Sequence, residues 1–403
     1  MNGSIEKALG GPILTRGMLA AFAIIGAAAA VVTTRLLAGL GAVSAMTDGY
    51  AWGIWKPLNV VTFTGVGAGA LGLALVTYIA NRGRYHPLVR SAVLVGAITY
   101  TLAGLSVIVD LGRWWNVWAL FVPPWWNLSS VLLEVALCVI SYCAVLWIEV
   151  LPAVLERWEQ APPSPLQRLA AVALPRLRGA FPFILALAIV LPFMHQSSLG
   201  SLFLVTPTKL HPLWHSSWLP ALFLLSCLSM GFGAVIVVDT LTHLAWRRAR
   251  DLRLLSSLAV VLSVLSLGYL ALRLGDLAWS GKLAQIRGVH GVLFLAELAL
   301  FGYPAVRLLQ PSYRRNPGLL FWAAQLALAA GTLYRFDVYL IAFDPGAGWS
   351  YFPSLGELLF SAGLAAAGVA TYALFVKKFP VLCGVAAQEV PAPAARPLRR
   401  MAG

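Results

Sequence analysis

The chain has 403 residues, 60% of them hydrophobic and 11% charged, with a mean hydropathy of +0.82. A water-soluble domain carries about 25% charged residues to cover its surface, so this composition excludes a soluble globule and leaves the bilayer as solvent. The net charge of +14 is scattered over short segments, which excludes a nucleic-acid footprint and reads as a topology signal.

A membrane-spanning helix needs about 20 apolar residues. That criterion predicts ten spans, at 17–40, 57–80, 88–110, 127–151, 171–194, 218–245, 253–275, 289–309, 317–341 and 354–376. The first stretch is long, has no clear small-x-small stop and is followed by further spans, so it reads as a span and not as a cleaved signal. Gly65, Gly67, Gly69 and Gly72 make the second span small-faced, which suits close helix packing in lipid. The expected fold class is therefore an all-α integral membrane protein of about ten transmembrane helices. Residues 1–16 are expected to form a cytoplasmic N-terminus, 17–376 the polytopic transmembrane domain and 377–403 a cytoplasmic C-terminal tail.

Basic residues orient the spans. Lys7, Arg16, the loops near 81–90, 155–178, 246–253 and 306–316, and the tail hold 21 of the 29 lysines and arginines. The opposite side holds eight: Arg35, Lys56, Arg113, Lys209, Arg273, Lys282, Arg287 and Arg335. The positive-inside rule puts the rich side, with both termini, in the cytoplasm of a bacterial inner membrane. The basic loops are short, apart from a Pro-rich linker at 161–165 and a Pro/Ala-rich tail at 391–397. The opposite loops are longer and aromatic, with Tyr50-Ala-Trp-Gly-Ile-Trp55, Trp114-Trp-Asn-Val-Trp118, Pro123-Pro-Trp-Trp126 and Gly348-Trp-Ser-Tyr-Phe-Pro353. A plain aromatic belt marks both faces, whereas this one-sided enrichment suggests a docked partner or an amphipathic ligand.

Charged groups inside spans are costly, about 2.5–3.5 kcal/mol each at mid-bilayer, and usually functional. Asp110 and Arg113 stand at the outer end of the third span, spaced for a local ion pair. Glu134 lies near the outer end of the fourth span, Asp239 with His243 in the inner third of the sixth, and Glu297 mid-way along the eighth. Arg335 and Asp337 sit toward the outer end of the ninth, and Glu357 opens the tenth as an N-terminal carboxylate favoured by the helix dipole. Glu134 and Glu297 suit proton carriers. His195, His211, His215 and His290 cluster on the outer side, and no span carries two histidines a membrane thickness apart, as a two-haem bundle would. A quinone site asks less: a proton-exchanging His or Asp, another donor and an aromatic slot, which His195, Asp110 and Arg113 supply. The four cysteines, Cys138, Cys143, Cys227 and Cys383, have neither zinc nor iron–sulfur spacing. The prolines lie near span ends, at Pro57, Pro152, Pro182, Pro192, Pro220, Pro304 and Pro353. That placement argues against a secondary transporter, whose helices typically break at the midplane.

Several stretches resemble one family. His195-Gln-Ser-Ser-Leu-Gly200, Leu210-His-Pro-Leu-Trp214, Leu333-Tyr-Arg-Phe-Asp-Val-Tyr339 and Trp349-Ser-Tyr-Phe-Pro-Ser-Leu-Gly-Glu357 are similar to the membrane subunit of Ni/Fe hydrogenases of the HybB type. Tyr50–Lys56 and Val109–Arg113 are similar too, and the resemblance runs over roughly 45–375. That subunit belongs to the wider NrfD/polysulfide-reductase membrane family.

The resemblance implies four-helix bundles plus two further spans, no haem despite a "b-type cytochrome" label, and a quinone site toward the periplasm. It also implies electron exchange with a periplasmic iron–sulfur subunit attached to a catalytic subunit. On this reading Asp110, Arg113, His195, Arg335 and Asp337 are candidate contacts for menaquinone or ubiquinone. Glu134, Asp239 and Glu297 are candidates for a proton route, and no metal site is expected. A haem-b cytochrome and a secondary transporter are the alternatives.

Overall fold

The computed structural model describes residues 8–382, so most of the expected 377–403 tail, with Cys383, lies outside the described residues. Ten helices are long and apolar enough to cross a membrane. They are α1 (Arg16–Ala38), α2 (Lys56–Ile79), α3 (Gly83–Asp110), α4 (Val131–Glu159), α5 (Pro165–Ser201), α6 (Leu219–Trp246), α7 (Leu252–Trp279), α8 (Gly288–Leu309), α9 (Pro317–Ile341) and α10 (Leu355–Lys378). Among the described residues, β structure is limited to an isolated bridge between Leu210 and Phe343.

The expected spans and the helices coincide in number and order, and differ at their ends. The largest difference is α5, expected at 171–194 and observed over 37 residues from Pro165 to Ser201. At 1.5 Å per residue it is about 55 Å long, well beyond a hydrocarbon core of about 30 Å. An apolar window measures only the lipid-immersed part. The Ser164 side chain accepts from Gln167 N and starts the helix early, while the opposite end runs on with Gln196 and Ser198 buried against protein. In α4 the order is reversed: residues 127–130 form a turn, and the Ser130 hydroxyl caps Leu133 N, so the helix starts at Val131.

Consecutive helices α2 to α5 pack side by side, with α5 returning to α2, and α6 to α9 repeat the pattern with α9 returning to α6. These are two four-helix bundles. They share a seam in which α6 lies along α2, and both seam helices are mostly buried. Glycine makes the seam: a Cβ on Gly231 would collide with the Gly69 and Ala68 backbone, so the two main chains touch, as small residues permit in lipid. α2 is irregular, opening with a π-helical segment Lys56–Thr62 and closing with another at Leu75–Ile79.

The remaining pair, α1 and α10, packs together at the edge of the first bundle. Leu9 N donates to Val376 O at 3.0 Å and Lys377 Nζ to Pro12 O at 2.5 Å, so the segment leading into α1 meets the C-terminal end of α10.

Candidate functional site

Three buried polar clusters interrupt the apolar interior. The first lies where the bundles meet. α5 brings His195 and Gln196, both wholly buried, and His195 lies about 9 Å along the helix from its aromatic-face end. Gln196 Nε2 donates to the Tyr100 hydroxyl at 3.3 Å, and the Tyr100 ring meets the His195 ring edge-on at 5.7 Å.

Arg335 of α9 enters the same space through a gap left by Gly65 and Gly331. Its guanidinium donates to Val61 O at 3.0 Å, Gly331 O at 3.0 Å, Ser226 Oγ at 3.3 Å and Gln196 Oε1 at 3.5 Å, which ties α2, α5, α6 and α9 together. Both ring nitrogens of His195 lack a hydrogen-bonding partner, as do Tyr142 Oη and the Asn59 side chain. Unpaired buried polar atoms cost about 1–3 kcal/mol each, so these groups set the seam apart from the satisfied interior around it. Toward the aromatic face the neighbouring layer is of rings: Trp52, Phe203, Tyr339 and Phe343 pack edge to face. Trp52 Nε1 donates to Tyr339 O and Tyr339 Oη to Leu199 O, each at 2.9 Å.

The second cluster forms the rim between α2, α3 and α10. Asp110 pairs with Lys56 at 2.5 Å, not with Arg113, which is exposed. The expected Asp110–Arg113 pair needed helical spacing, and the chain leaves the helix at Leu111 (ψ 126). Arg35 is buried and donates to the carbonyls of Val109, Leu111 and Gly112, closing the C-terminus of α3 where the dipole is negative. Glu357 fulfils the reading of an N-terminal carboxylate, since Ser354 and Glu357 form a capping box. It also accepts from Ala45 N at 3.0 Å and from Tyr351 Oη at 2.6 Å. Burial and the adjacent Glu357 push the Tyr351 hydroxyl above its ordinary range. Gly53 (φ +49) lies so close that a Cβ there would meet Glu357 Oε1, so only glycine fits.

The third cluster is interior to α6–α9. Glu297 Oε1 lies 3.4 Å from Arg273 Nε and accepts from Tyr269 Oη at 2.5 Å, while Oε2 accepts from Trp214 Nε1 at 2.8 Å. Asp337 lies beside Glu297, fully buried and with neither carboxyl oxygen paired in standard geometry. Arg273 also stands over the Phe294 ring at 4.8 Å.

The structure therefore divides the five expected quinone contacts. His195 and Arg335 share the inter-bundle cluster, linked through Gln196. Asp110 belongs to the rim, Arg113 to the exposed loop, and Asp337 to the carboxyl pair of the second bundle. The three expected proton-route residues also separate, and none is hydrogen-bonded to another. Glu134 accepts from Ser198 Oγ at 2.6 Å near the aromatic-face end of α4. Asp239 stands on the basic side, where Arg248, Arg250 and His243 act on it electrostatically, and Glu297 is in the second bundle.

Sequence reasoning missed Lys56, Arg35, Arg273, Tyr100 and Gln196. Arg273 carried a usable signal, because an arginine within a span is itself expensive. The other pairings depend on lateral helix arrangement.

Among the outer histidines, His211 and His290 stack directly at 4.4 Å with rings 21° apart, and His195 faces Tyr100. Burial and the neighbouring His290 hold His211 below its ordinary value, and burial with Lys282 does the same to His215. Among the described residues no group of three or more His, Cys, Asp or Glu is placed to hold a metal.

Two coupled four-helix bundles, an edge pair of helices and a buried polar seam beneath an aromatic layer define a polytopic helical membrane protein. The family profile described as Polysulphide reductase, NrfD matches residues 42–342, and the chain belongs to that family. It is 36% identical over 385 residues to the Probable Ni/Fe-hydrogenase 2 b-type cytochrome subunit of Escherichia coli (strain K12), covering 93% of this chain and 94% of that protein. It is 27% identical over 354 residues to the Menaquinone reductase, integral membrane subunit of Nitratidesulfovibrio vulgaris Hildenborough, covering 80% of this chain and 81% of that one.

Proposed function

We propose that this chain is the quinone-reactive membrane anchor of a respiratory oxidoreductase, with its basic face in the cytoplasm and its aromatic face in the periplasm. A periplasmic iron–sulfur subunit, joined to a catalytic subunit, docks on the aromatic loops and exchanges electrons with a quinone held beneath them. The observation that carries this reading is the His195 imidazole, buried at the seam with both nitrogens unpartnered among Tyr100, Gln196 and Arg335. Family membership and a relative named as a menaquinone reductase subunit support it.

His195 exchanges the proton at the ring oxygen, and Arg335, held by four partners, supplies fixed positive charge for the reduced form. Asp110 and Lys56 pass protons between this region and periplasmic water. Proton storage falls to the Glu297–Asp337 pair in place of a single path through Glu134 and Asp239. Two carboxyls beside one guanidinium in apolar surroundings approach neutrality only if one keeps its proton.

The test uses the intact complex with a viologen dye and a quinone analogue as separate electron partners. His195→Gln is expected to lower quinone-linked turnover by about 100-fold, the lower end for a lost general acid–base group, while dye-linked turnover stays at the wild-type rate. Undiminished quinone turnover removes His195 from the reaction. Orientation is checked with Trp118→Cys and an impermeant thiol reagent: labelling in intact cells is expected, and labelling only after lysis reverses the assignment. The purified protein is expected to show no Soret band, and a redox-sensitive one would restore the haem-b alternative.

A further inference from the structure

On the basic half of the bilayer a cleft of about 450 Å³ opens between α2, α3, α6 and α10. It reaches Phe63 and Val66 on the central helix α2, and its outer lips are Leu241 and Val369, both exposed. The walls contain three hydroxyls, and each is already committed within the protein. Thr99 Oγ1 donates to Gly96 O at 3.2 Å, Thr242 Oγ1 to Asp239 O at 2.8 Å, and Tyr372 Oη pairs with Ser91 Oγ at 2.7 Å. A quinone ring in this cleft would meet mostly carbon. At about 30 Å³ per water-sized group, the space holds about 15 methylene-sized groups, the volume of a hydrocarbon chain.

The cleft ends at a basic edge. Trp246 closes it on α6 and is followed directly by exposed Arg247, while on α10 the lining residue Ala373 is followed within two turns by Lys377 and exposed Lys378. The acidic groups nearby are occupied: Asp239 is neighboured by Arg248 and Arg250, Glu156 pairs with Arg90 at 2.7 Å, and Asp251 caps Leu254 N.

We propose that this cleft is a lipid site, taking one acyl chain of an anionic phospholipid whose headgroup meets Arg247 and Lys378. The apolar walls select a chain, and the two cations select the charge of the head. The site shares no lining residue with the His195 cluster and stands whether or not that cluster binds quinone.

The full-length protein, stripped of lipid in detergent, is titrated with phosphatidylglycerol and with phosphatidylcholine of identical chains, and bound lipid is counted by native mass spectrometry. One tightly retained phosphatidylglycerol is expected, with a preference over phosphatidylcholine that falls about fivefold for each cation removed in Arg247→Gln and Lys378→Gln, as about 1 kcal/mol per surface cation implies. Ala365→Phe, which fills the cleft from an exposed lining position, is expected to abolish retention. Equal retention of the two lipids, retention by Ala365→Phe at the wild-type level, or a quinone recovered in place of phospholipid would each overturn the proposal. Photoreactive-chain phosphatidylglycerol on the unmodified protein gives a reading that needs no variant. Cross-links to Leu241 or Val369 are expected, and cross-links confined to other helices overturn it.

Discussion

The two bundles share a design and differ in how their interiors treat polar atoms. In α6–α9 the buried groups are mostly charged and lie together: Glu297 is met by Arg273, Tyr269 and Trp214 on its two carboxyl oxygens, while Asp337 beside it and the Tyr334 hydroxyl have no hydrogen-bonding partner. In α2–α5 the buried groups are mostly neutral, and several, including His195, Asn59 and Tyr142, have no protein partner. Low dielectric strengthens a satisfied network and penalises an open one. The contrast teaches that the second bundle gathers its charges around one carboxyl pair, while the first sets neutral groups at the seam without a protein partner.

Substitutions sharpen or break this contrast. The largest effect is expected from Arg273→Leu, which strands Glu297 without its cation. Loss of one partner of a buried pair costs about 3–5 kcal/mol, to be read as a large fall in Tm in detergent, and an unchanged Tm would mean that Glu297 does not depend on Arg273. Trp214→Phe removes one donor from the same carboxyl and is expected to cost about 1–3 kcal/mol, measured the same way.

A smaller effect comes from pH. His211 is held below its ordinary value of 6.5 by burial and by His290, so in acid the unfolded chain takes up a proton that the folded state resists. The stability it contributes is present above about pH 6.5 and declines as pH falls through that value; Lys209 and His215 are the other titratable loop groups nearby in sequence. His211→Gln should flatten the decline in Tm between about pH 7 and 5, and an identical slope would assign it elsewhere. The smallest cost is expected in the first bundle: Tyr142→Phe deletes a hydroxyl that no protein atom meets and should leave stability unchanged or raise it by up to about 1–3 kcal/mol. A cost equal to that of Trp214→Phe would erase the distinction between the two interiors.

The ten helices and their order were legible because a span is a local signal, a run of apolar residues long enough to cross lipid. The one-sided aromatic loops were legible for the same reason. Pairings between helices were not. Lys56 reaches Asp110 and Arg335 reaches Gln196 across distances in sequence that carry no periodicity. The local reading of Asp110 with Arg113 failed because it assumed three more residues of helix, and the chain turns out at Leu111. Arg273, counted from sequence as a charge on the outer side, is 1% exposed inside the second bundle. Its position near a helix end hid the fact that the neighbours enclose it. The His195 motif was visible, whereas the missing partners on its two nitrogens emerge only once four helices are assembled around it.

The pairing of α1 with α10 has a consequence for biogenesis. α1 is the least enclosed of the ten described spans together with α5, and its principal neighbour is α10, the tenth of them in chain order. During synthesis α1 must therefore stay in the bilayer as a lone hydrophobic rod, anchored by its own apolar surface, until α10 arrives and the amino-terminal segment is latched to Val376 and Lys377. Truncation before Leu355 would leave that rod without its mate.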